Sequence, residues 1–225
     1  MVEPQKAVQL DGLFRKGDTS MLSVIDHSNR AHEHQLLRAM FEARKRVFID
    51  LLKWDLPVLA DRFEIDHFDD PHATYLIVGD QDGGHLASAR LLPTTRPALL
   101  DGLFPGLVNG IPPSGPDIFE ITRFCLSPGI GARQRRIARD TLLAGLIDYA
   151  LANGIRSYTG VAELDWFAQI RTFGWDCTAL GEPGIYDGRA LTSLRIEIDA
   201  DTPARLKAAG IVSGSAATPV AANAA

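Results

Sequence analysis

The alternation of apolar and polar residues divides this chain into a run of helices and strands. Residues 31–48 place Leu36, Leu37, Met40, Phe41, Val47 and Phe48 at helical spacing, so a helix is predicted there. Thr74–Val78 is a short run of strand formers. Asp82-Gly83-Gly84 is a hairpin turn signal, Leu86–Leu92 is the partner strand, and Pro93 ends it. Ile118–Leu126 alternates as a strand. Ile118, Glu120, Thr122 and Phe124 fall on one face of it, and Phe119, Ile121, Arg123 and Cys125 on the other. Gln134–Asn153 reads as a helix stopped by Asn153-Gly154. Ser157–Ala162 predicts a strand, Leu164–Phe173 a helix closed by Gly174, and Ala190–Ile198 a last long strand.

The hairpin requires antiparallel pairing, and the later strand-helix-strand crossovers imply parallel pairing. The expected fold is α/β: one domain, a mixed sheet with helices on both faces. That domain spans residues 21–210. Residues 1–20 read as a flexible extension, with Met21-Leu22-Ser23-Val24-Ile25 opening the structured pattern. Residues 211–225 carry no charged side chain and no aromatic anchor, so they read as a disordered tail.

Composition narrows the function. The chain has 225 residues, 46% of them apolar, enough for one sizeable core and short for two. A net charge of -5 excludes a global basic footprint, so no nucleic-acid partner is expected. Two cysteines, Cys125 and Cys177, make neither a disulfide framework nor a CxxC metal spacing. Residues 1–20 lack the apolar core of a signal peptide, and no apolar run approaches the ~20 residues that span a bilayer. A soluble, cytoplasmic protein with no membrane partner is expected.

Several charges fit packing poorly. Arg90, Glu120 and Arg123 fall inside apolar strands, where a charge is costly unless it is paired or faces a cleft. In a regular strand Glu120 and Arg123 point to opposite faces; a bulge would bring them together. Arg44 and Phe48 share a helix face, and Trp54 follows in a loop. Glu64, Asp66 and Asp69 form an acidic loop lacking the glycine and terminal glutamate of a calcium loop. Arg133, Arg135, Arg136 and Arg139 cluster at a helix start, where positive charge opposes the helix dipole; this reads either as a solvated face or as a dock for an acidic partner or phosphate. His67, His72 and His85 have no ligand spacing and read as surface residues, and Cys125 reads as core. No GxSxG, GxGxxG or P-loop motif occurs.

In order, Arg44-x-x-x-Phe48, Trp54, Glu64-x-Asp66-x-x-Asp69, Arg90-Leu91-Leu92-Pro93-Thr94-Thr95-x-Pro97, Phe104 and Phe119-Glu120-Ile121-Thr122-Arg123-Phe124 resemble the N-acyl-homoserine lactone synthases of the LuxI type. The resemblance runs from Met21 to about Ala209. It implies a fold related to the GCN5-type N-acetyltransferases. It also implies a reaction in which the amine of S-adenosylmethionine attacks an acyl thioester, after which lactonisation releases 5′-methylthioadenosine. S-Adenosylmethionine is then a substrate, and neither cofactor nor metal is implied.

The resemblance assigns Arg44, Phe48, Trp54, Asp66, Asp69, Arg90 and Phe124 to S-adenosylmethionine, with the carboxylates drawing its cationic centres and the rings covering it. Glu120 is the candidate base, or else orients Arg123 or Arg44; Arg123 completes the catalytic pair. A backbone N–H at a strand bulge would bind the thioester carbonyl, as in acetyltransferases. The acyl chain would lie among Phe104, Leu126, Leu142, Leu146, Tyr158 and Ala162. Ala162 stands where relatives specific for 3-oxo chains carry threonine, which implies an unsubstituted or 3-hydroxy chain unless Thr159 is the equivalent residue. Arg133, Arg135, Arg136 and Arg139 would dock acyl carrier protein. Acyl-CoA is the other donor, disfavoured because Arg133-x-x-Arg136-x-Ala138 has arginine where acetyltransferases have a phosphate-cradling glycine. The alternatives are a GCN5-type acyltransferase on another amine, or a non-catalytic sensor of S-adenosylmethionine or lactone.

Overall fold

A computed structural model describes residues 20–212. The extension assigned to residues 1–20 and the tail from 213 onward fall outside it, apart from Ser20. In chain order the elements are β1 (Met21–Ile25), α1 (His34–Arg44), β2 (Val58–Leu59), β3 (Phe63–Glu64), β4 (Thr74–Gly79), β5 (His85–Pro93), α2 (Leu99–Gly102), β6 (Ile118–Leu126), α3 (Ala132–Ala152), β7 (Ser157–Glu163), α4 (Leu164–Ile170), β8 (Asp176–Ala179), β9 (Gly184–Tyr186), β10 (Arg189–Glu197) and α5 (Thr202–Ala208). One sheet runs β1-β4-β5-β6-β7-β10-β8, with β9 also paired to β10.

The sheet is mixed, as the chain order predicts. β6 and β7, joined through α3, are parallel. The second crossover differs from expectation: β7 and β10 are antiparallel. After α4 the chain first lays down β8 and the β9–β10 hairpin, so β10 re-enters the sheet from the opposite end. Two cores flank the sheet. α1 buries Leu37 and Met40 against Ile25, Tyr75, Ile77 and Leu92. α3, α4 and α5 cover the other face through residues such as Leu142, Leu146, Ile170 and Leu206. A fully buried leucine contributes about 1.5–3 kcal/mol, so α3 anchors that face. Gly145 lets it close on β1: a Cβ there would stand 2.2 Å from Leu22 Cδ2. The domain runs one residue past the expected end, since Ile211 is buried in this core.

Three local departures shape the site. The helix predicted over 31–48 is α1 followed by a wide π-helical turn, Lys45–Leu51. That turn buries Phe48 and delivers Trp54, whose N–H donates to Phe48 O at 2.8 Å. Next, β6 is bulged. Ser88 faces Cys125 and Arg90 faces Thr122, so Arg123 and Phe124 together oppose one residue of β5, and Arg123 sits at φ 51°. The predicted faces therefore hold through Thr122 and invert beyond it. Cys125 is buried beside Ala43 and Phe48 on the α1 side, while Phe124 and Leu126 turn toward the α3 core.

The third departure is His85, which is buried rather than on the surface. Its ring bridges Ser127 and Ser88 at 2.8 Å each, and burial lowers its pKa to about 3.

Candidate active site

β6 and β7 pair only as far as Ile121–Gly160, yet β6 continues to Leu126 and β7 to Glu163. Beyond that point the two parallel strands are unpaired, which leaves an opening in the ladder beside the Arg123–Phe124 bulge.

On the α1 side of this opening lies a closed ring of alternating charges. Arg44 donates from Nε to Glu64 at 2.5 Å and, through a two-pronged contact, to Asp69 at 2.8 and 2.9 Å. Asp69 also receives Arg90 Nη1 at 2.9 Å. Arg90 forks onto Asp66 at 2.6 and 3.0 Å. Asp66 receives Arg123 Nη2 at 2.7 Å, and Arg123 returns to Glu64 at 3.1–3.2 Å. Three guanidiniums and three carboxylates thus alternate with no net charge. Arg44, Glu64 and Arg90 are sealed from solvent, and Arg123 is slightly exposed.

Further donors fill the ring's oxygens: Tyr75 Oη and Asp66 N–H on Asp69, and Phe68 N–H on Asp66. Burial would push Asp69 up, but the Arg44 hydrogen bonds and the charges of Arg44 and Arg90 hold it well below the carboxylate range. Asp66 is lowered too, by Arg90 and then Arg123 against its burial.

This arrangement corrects the sequence reading in two places. Asp66 and Asp69 are not open to a ligand's cationic centres, because their oxygens are engaged by arginines. Glu120 orients neither Arg123 nor Arg44; Glu64 holds both. The sequence showed Glu64 only as a motif position, because its partners lie 20 and 59 residues away.

Glu120 occupies a separate, buried position. It is buried, and Leu100 N–H of α2 donates to its Oε2 at 3.1 Å. Its Oε1 has no protein partner, and burial raises its pKa to about 7. Trp54 stacks on Phe48 with ring centroids 4.9 Å apart, and its Nε1 is likewise buried without a protein partner. Arg123 lies over the Phe48 ring at 5.7 Å. The structure thus gathers Arg44, Phe48, Trp54, Asp66, Asp69, Arg90 and Arg123 around the ring, with Glu120 on the same side of the sheet.

Phe124 is not in this group. The bulge turns it away, and it packs on Trp166 at 5.4 Å. Leu126, Leu142, Leu146, Tyr158 and Ala162 meet on the α3 face, where Tyr158 Oη donates to Leu146 O at 2.8 Å. Phe104 stands apart from them, edge-on to Tyr186 of β9 at 5.2 Å. Thr159 is the register partner of Glu120, so it faces away from Tyr158 and Ala162 and cannot serve that pocket.

The arginine cluster divides as well. Arg133, Arg135 and Arg136 are exposed on the first turns of α3, whereas Arg139 is held by Asp140 at 2.6 Å and lies over Phe173. The Arg133-x-x-Arg136-x-Ala138 frame falls wholly within α3. Arg136 therefore does not crowd the loop that precedes the helix. That loop carries Gly129 and Gly131, with open space where each Cβ would stand.

Among the described residues, no helix is long and apolar enough to cross a membrane, and no cluster of His, Cys, Asp and Glu is arranged to hold a metal ion.

The mixed-sheet fold is shared with acyltransferases. An acyl-CoA N-acyltransferase from Pseudomonas aeruginosa has this fold at 17% identity and a TM-score of 0.56, over 79% of this chain and 99% of that one. The sequence profile of the autoinducer synthases matches residues 26–206, and the chain belongs to that family. An acyl-homoserine-lactone synthase of Ralstonia nicotianae is 35% identical over 186 residues, covering 79% of this chain and 91% of the relative. The CoA-dependent acyl-homoserine lactone synthase MesI superposes with a TM-score of 0.77 at 28% identity, over 87% of this chain and 97% of MesI. BjaI, a CoA-dependent synthase solved with S-adenosylmethionine and isopentyl-CoA, gives 0.77 at 26% identity, over 87% of this chain and 92% of BjaI. The activity is acyl-homoserine-lactone synthesis, an acyl transfer.

Proposed function

We propose that the enzyme transfers an acyl chain from a thioester to the amine of S-adenosylmethionine and then closes the lactone, releasing 5′-methylthioadenosine. The observation that carries this reading is the end of the β6–β7 ladder at Ile121–Gly160, with buried Glu120 on β6 one residue before it, where a thioester would enter between the two strands. S-Adenosylmethionine lies beneath the loop bearing Trp54. Trp54 and Phe48 cover its ring and sulfonium, and Trp54 Nε1 supplies a donor. Arg123, the most exposed guanidinium of the ring, takes the carboxylate. Arg44, Arg90, Asp66 and Asp69 hold Arg123 and the loop in place.

Glu120 removes the ammonium proton, directly or through one water, and the free amine attacks the acyl carbonyl. A backbone N–H of the Arg123–Phe124 bulge donates to the developing oxyanion. The amide forms as the thiol leaves. The carboxylate of the methionyl part then attacks its own γ-carbon, and methylthioadenosine departs with the sulfonium's electron pair. The decisive experiment incubates the protein with S-adenosylmethionine and acyl thioesters and follows products by mass spectrometry. Paired appearance of lactone and methylthioadenosine is expected. An N-acylated product without methylthioadenosine overturns the reading.

The donor is acyl carrier protein, drawn by Arg133, Arg135 and Arg136. A second reading, acyl-CoA, is favoured by the Gly129-x-Gly131 approach to the α3 N-terminus, which suits a pyrophosphate. Reversing Arg133 and Arg136 to Glu should raise KM for acyl carrier protein about tenfold or more and leave KM for S-adenosylmethionine unchanged. An unchanged donor KM would reject the docking role, and a higher kcat/KM on a chain-matched acyl-CoA would select the second reading.

The chain is unsubstituted or 3-hydroxylated, since Ala162 offers no hydroxyl and Thr159 faces elsewhere. Turnover of a 3-oxo donor should fall below that of its unsubstituted counterpart. A strong 3-oxo preference would sink this assignment.

A further inference from the structure

Arg189 joins the two substrate regions. It opens β10 directly after the Asp187-Gly188 turn, in which both residues have positive φ (48° and 76°), a tight hairpin geometry that fixes the strand's entry. The hairpin is anchored by Tyr186 against Phe104. From there the Arg189 guanidinium makes three contacts. Nη1 donates to Glu163 Oε1 at 2.7 Å, at the end of β7 beyond its pairing with β6. Nη2 donates to Leu52 O, 137 residues away in sequence. The guanidinium carbon also lies over the Trp54 ring at 5.4 Å. The loop it grips is strained: Lys53, Ala60 and Asp61 all have φ between 52° and 58°. Such a loop holds its position only when contacts outside it supply the restraint.

We propose that Arg189 is a positioning residue for the reaction, a latch that holds the Trp54 loop closed over S-adenosylmethionine and, through Glu163, ties that loop to the opening between β6 and β7. The inference rests on the functional reading above. Lysine can keep one contact, to Glu163 or to Leu52 O, but has no planar fork to stack on Trp54 while bonding both. Methionine keeps the length of the stem and removes every polar contact.

The test compares wild type, Arg189→Met and Arg189→Lys in the full chain. KM is measured for S-adenosylmethionine and for the thioester separately, with melting temperature alongside. Tryptic cleavage after Lys53, which is exposed in the loop, is timed without substrates. For Arg189→Met we expect KM for S-adenosylmethionine to rise about five- to tenfold, KM for the thioester to stay within about twofold, and cleavage to speed up about fivefold. Arg189→Lys should recover part of each effect. Unchanged cleavage together with unchanged KM would overturn the latch. So would a fall in melting temperature accompanied by equal rises in both KM values, which marks a general structural role. If the wild type makes neither lactone nor methylthioadenosine, the functional reading fails; the cleavage comparison still decides whether Arg189 restrains the loop.

Discussion

Glu120→Gln should lower kcat by about 10²–10⁴-fold, the usual contribution of a positioned general base. The substitution keeps the size and the Leu100 contact but cannot accept the ammonium proton. The wild-type pH profile gives the sharper result. Burial raises Glu120 to about 7, so its carboxyl is largely protonated at pH 6 and ionised at pH 8. kcat should therefore climb through about pH 7, and that limb should vanish in the variant. A limb that survives, or a loss under tenfold, would assign the base elsewhere.

Stability carries an independent sign. The folded pKa of Glu120 lies above its ordinary value of 4.5, so its favourable contribution is full below 4.5 and is lost as pH rises through about 7. Above pH 8 the wild type bears a buried carboxylate, and Glu120→Gln should be more stable than it by on the order of 2 kcal/mol. Urea unfolding at pH 5 and pH 8 reads this directly. Lower activity together with higher stability is the signature of a group kept for chemistry rather than for packing.

Arg44→Met should cost about 3–5 kcal/mol of unfolding free energy, because it leaves the buried ring with one net negative charge, Glu64 keeping only Arg123 and Asp69 only Arg90 among its cations. Arg44→Lys should recover little, since an ammonium cannot reproduce the fork onto Asp69 while bonding Glu64. The ring is almost wholly buried, so the urea midpoint of the wild type should change little between low and high salt, unlike that of a surface ion pair. Acid should act differently. Asp66 and Asp69 are held below their ordinary value of 3.8, so their contribution is full above about pH 4 and is lost as pH falls below it. A loss under about 1 kcal/mol in Arg44→Met would mean that the ring is not a scaffold.

The ring also shows why some of the site was legible and some was not. Arg90, Glu120 and Arg123 stood out because a charge inside an apolar strand demands a partner or a cleft. Which partner each has could not be read locally. Asp66 and Asp69 look like ligand carboxylates until Arg44, Arg90 and Arg123 arrive from α1, β5 and β6 to neutralise them. His85 looked like surface because nothing in its neighbourhood reveals Ser127, 42 residues on. Phe124 was placed on the wrong face because alternation was carried through a bulge, and a bulge at a non-glycine residue leaves no local mark. Arg189 carried no signal at all: its partners come from β7 and from the loop after α1.

By itself the sequence determined the long helices and strands and their order, though not the short β2, β3, α2, β8 and β9, and it determined the antiparallel hairpin, the parallel β6–α3–β7 crossover, and the ordered motif that marks an autoinducer synthase. These follow from periodicity, turn chemistry and residue type, which act over a few residues. Only the tertiary structure decided the closure of the charge ring, the inversion of β6 beyond Thr122, the isolation of Glu120 beneath α2 and the hold of Arg189 on the Trp54 loop. Each depends on pairing between residues tens of positions apart, and on burial that changes what a charge costs; neither is a local property of the chain.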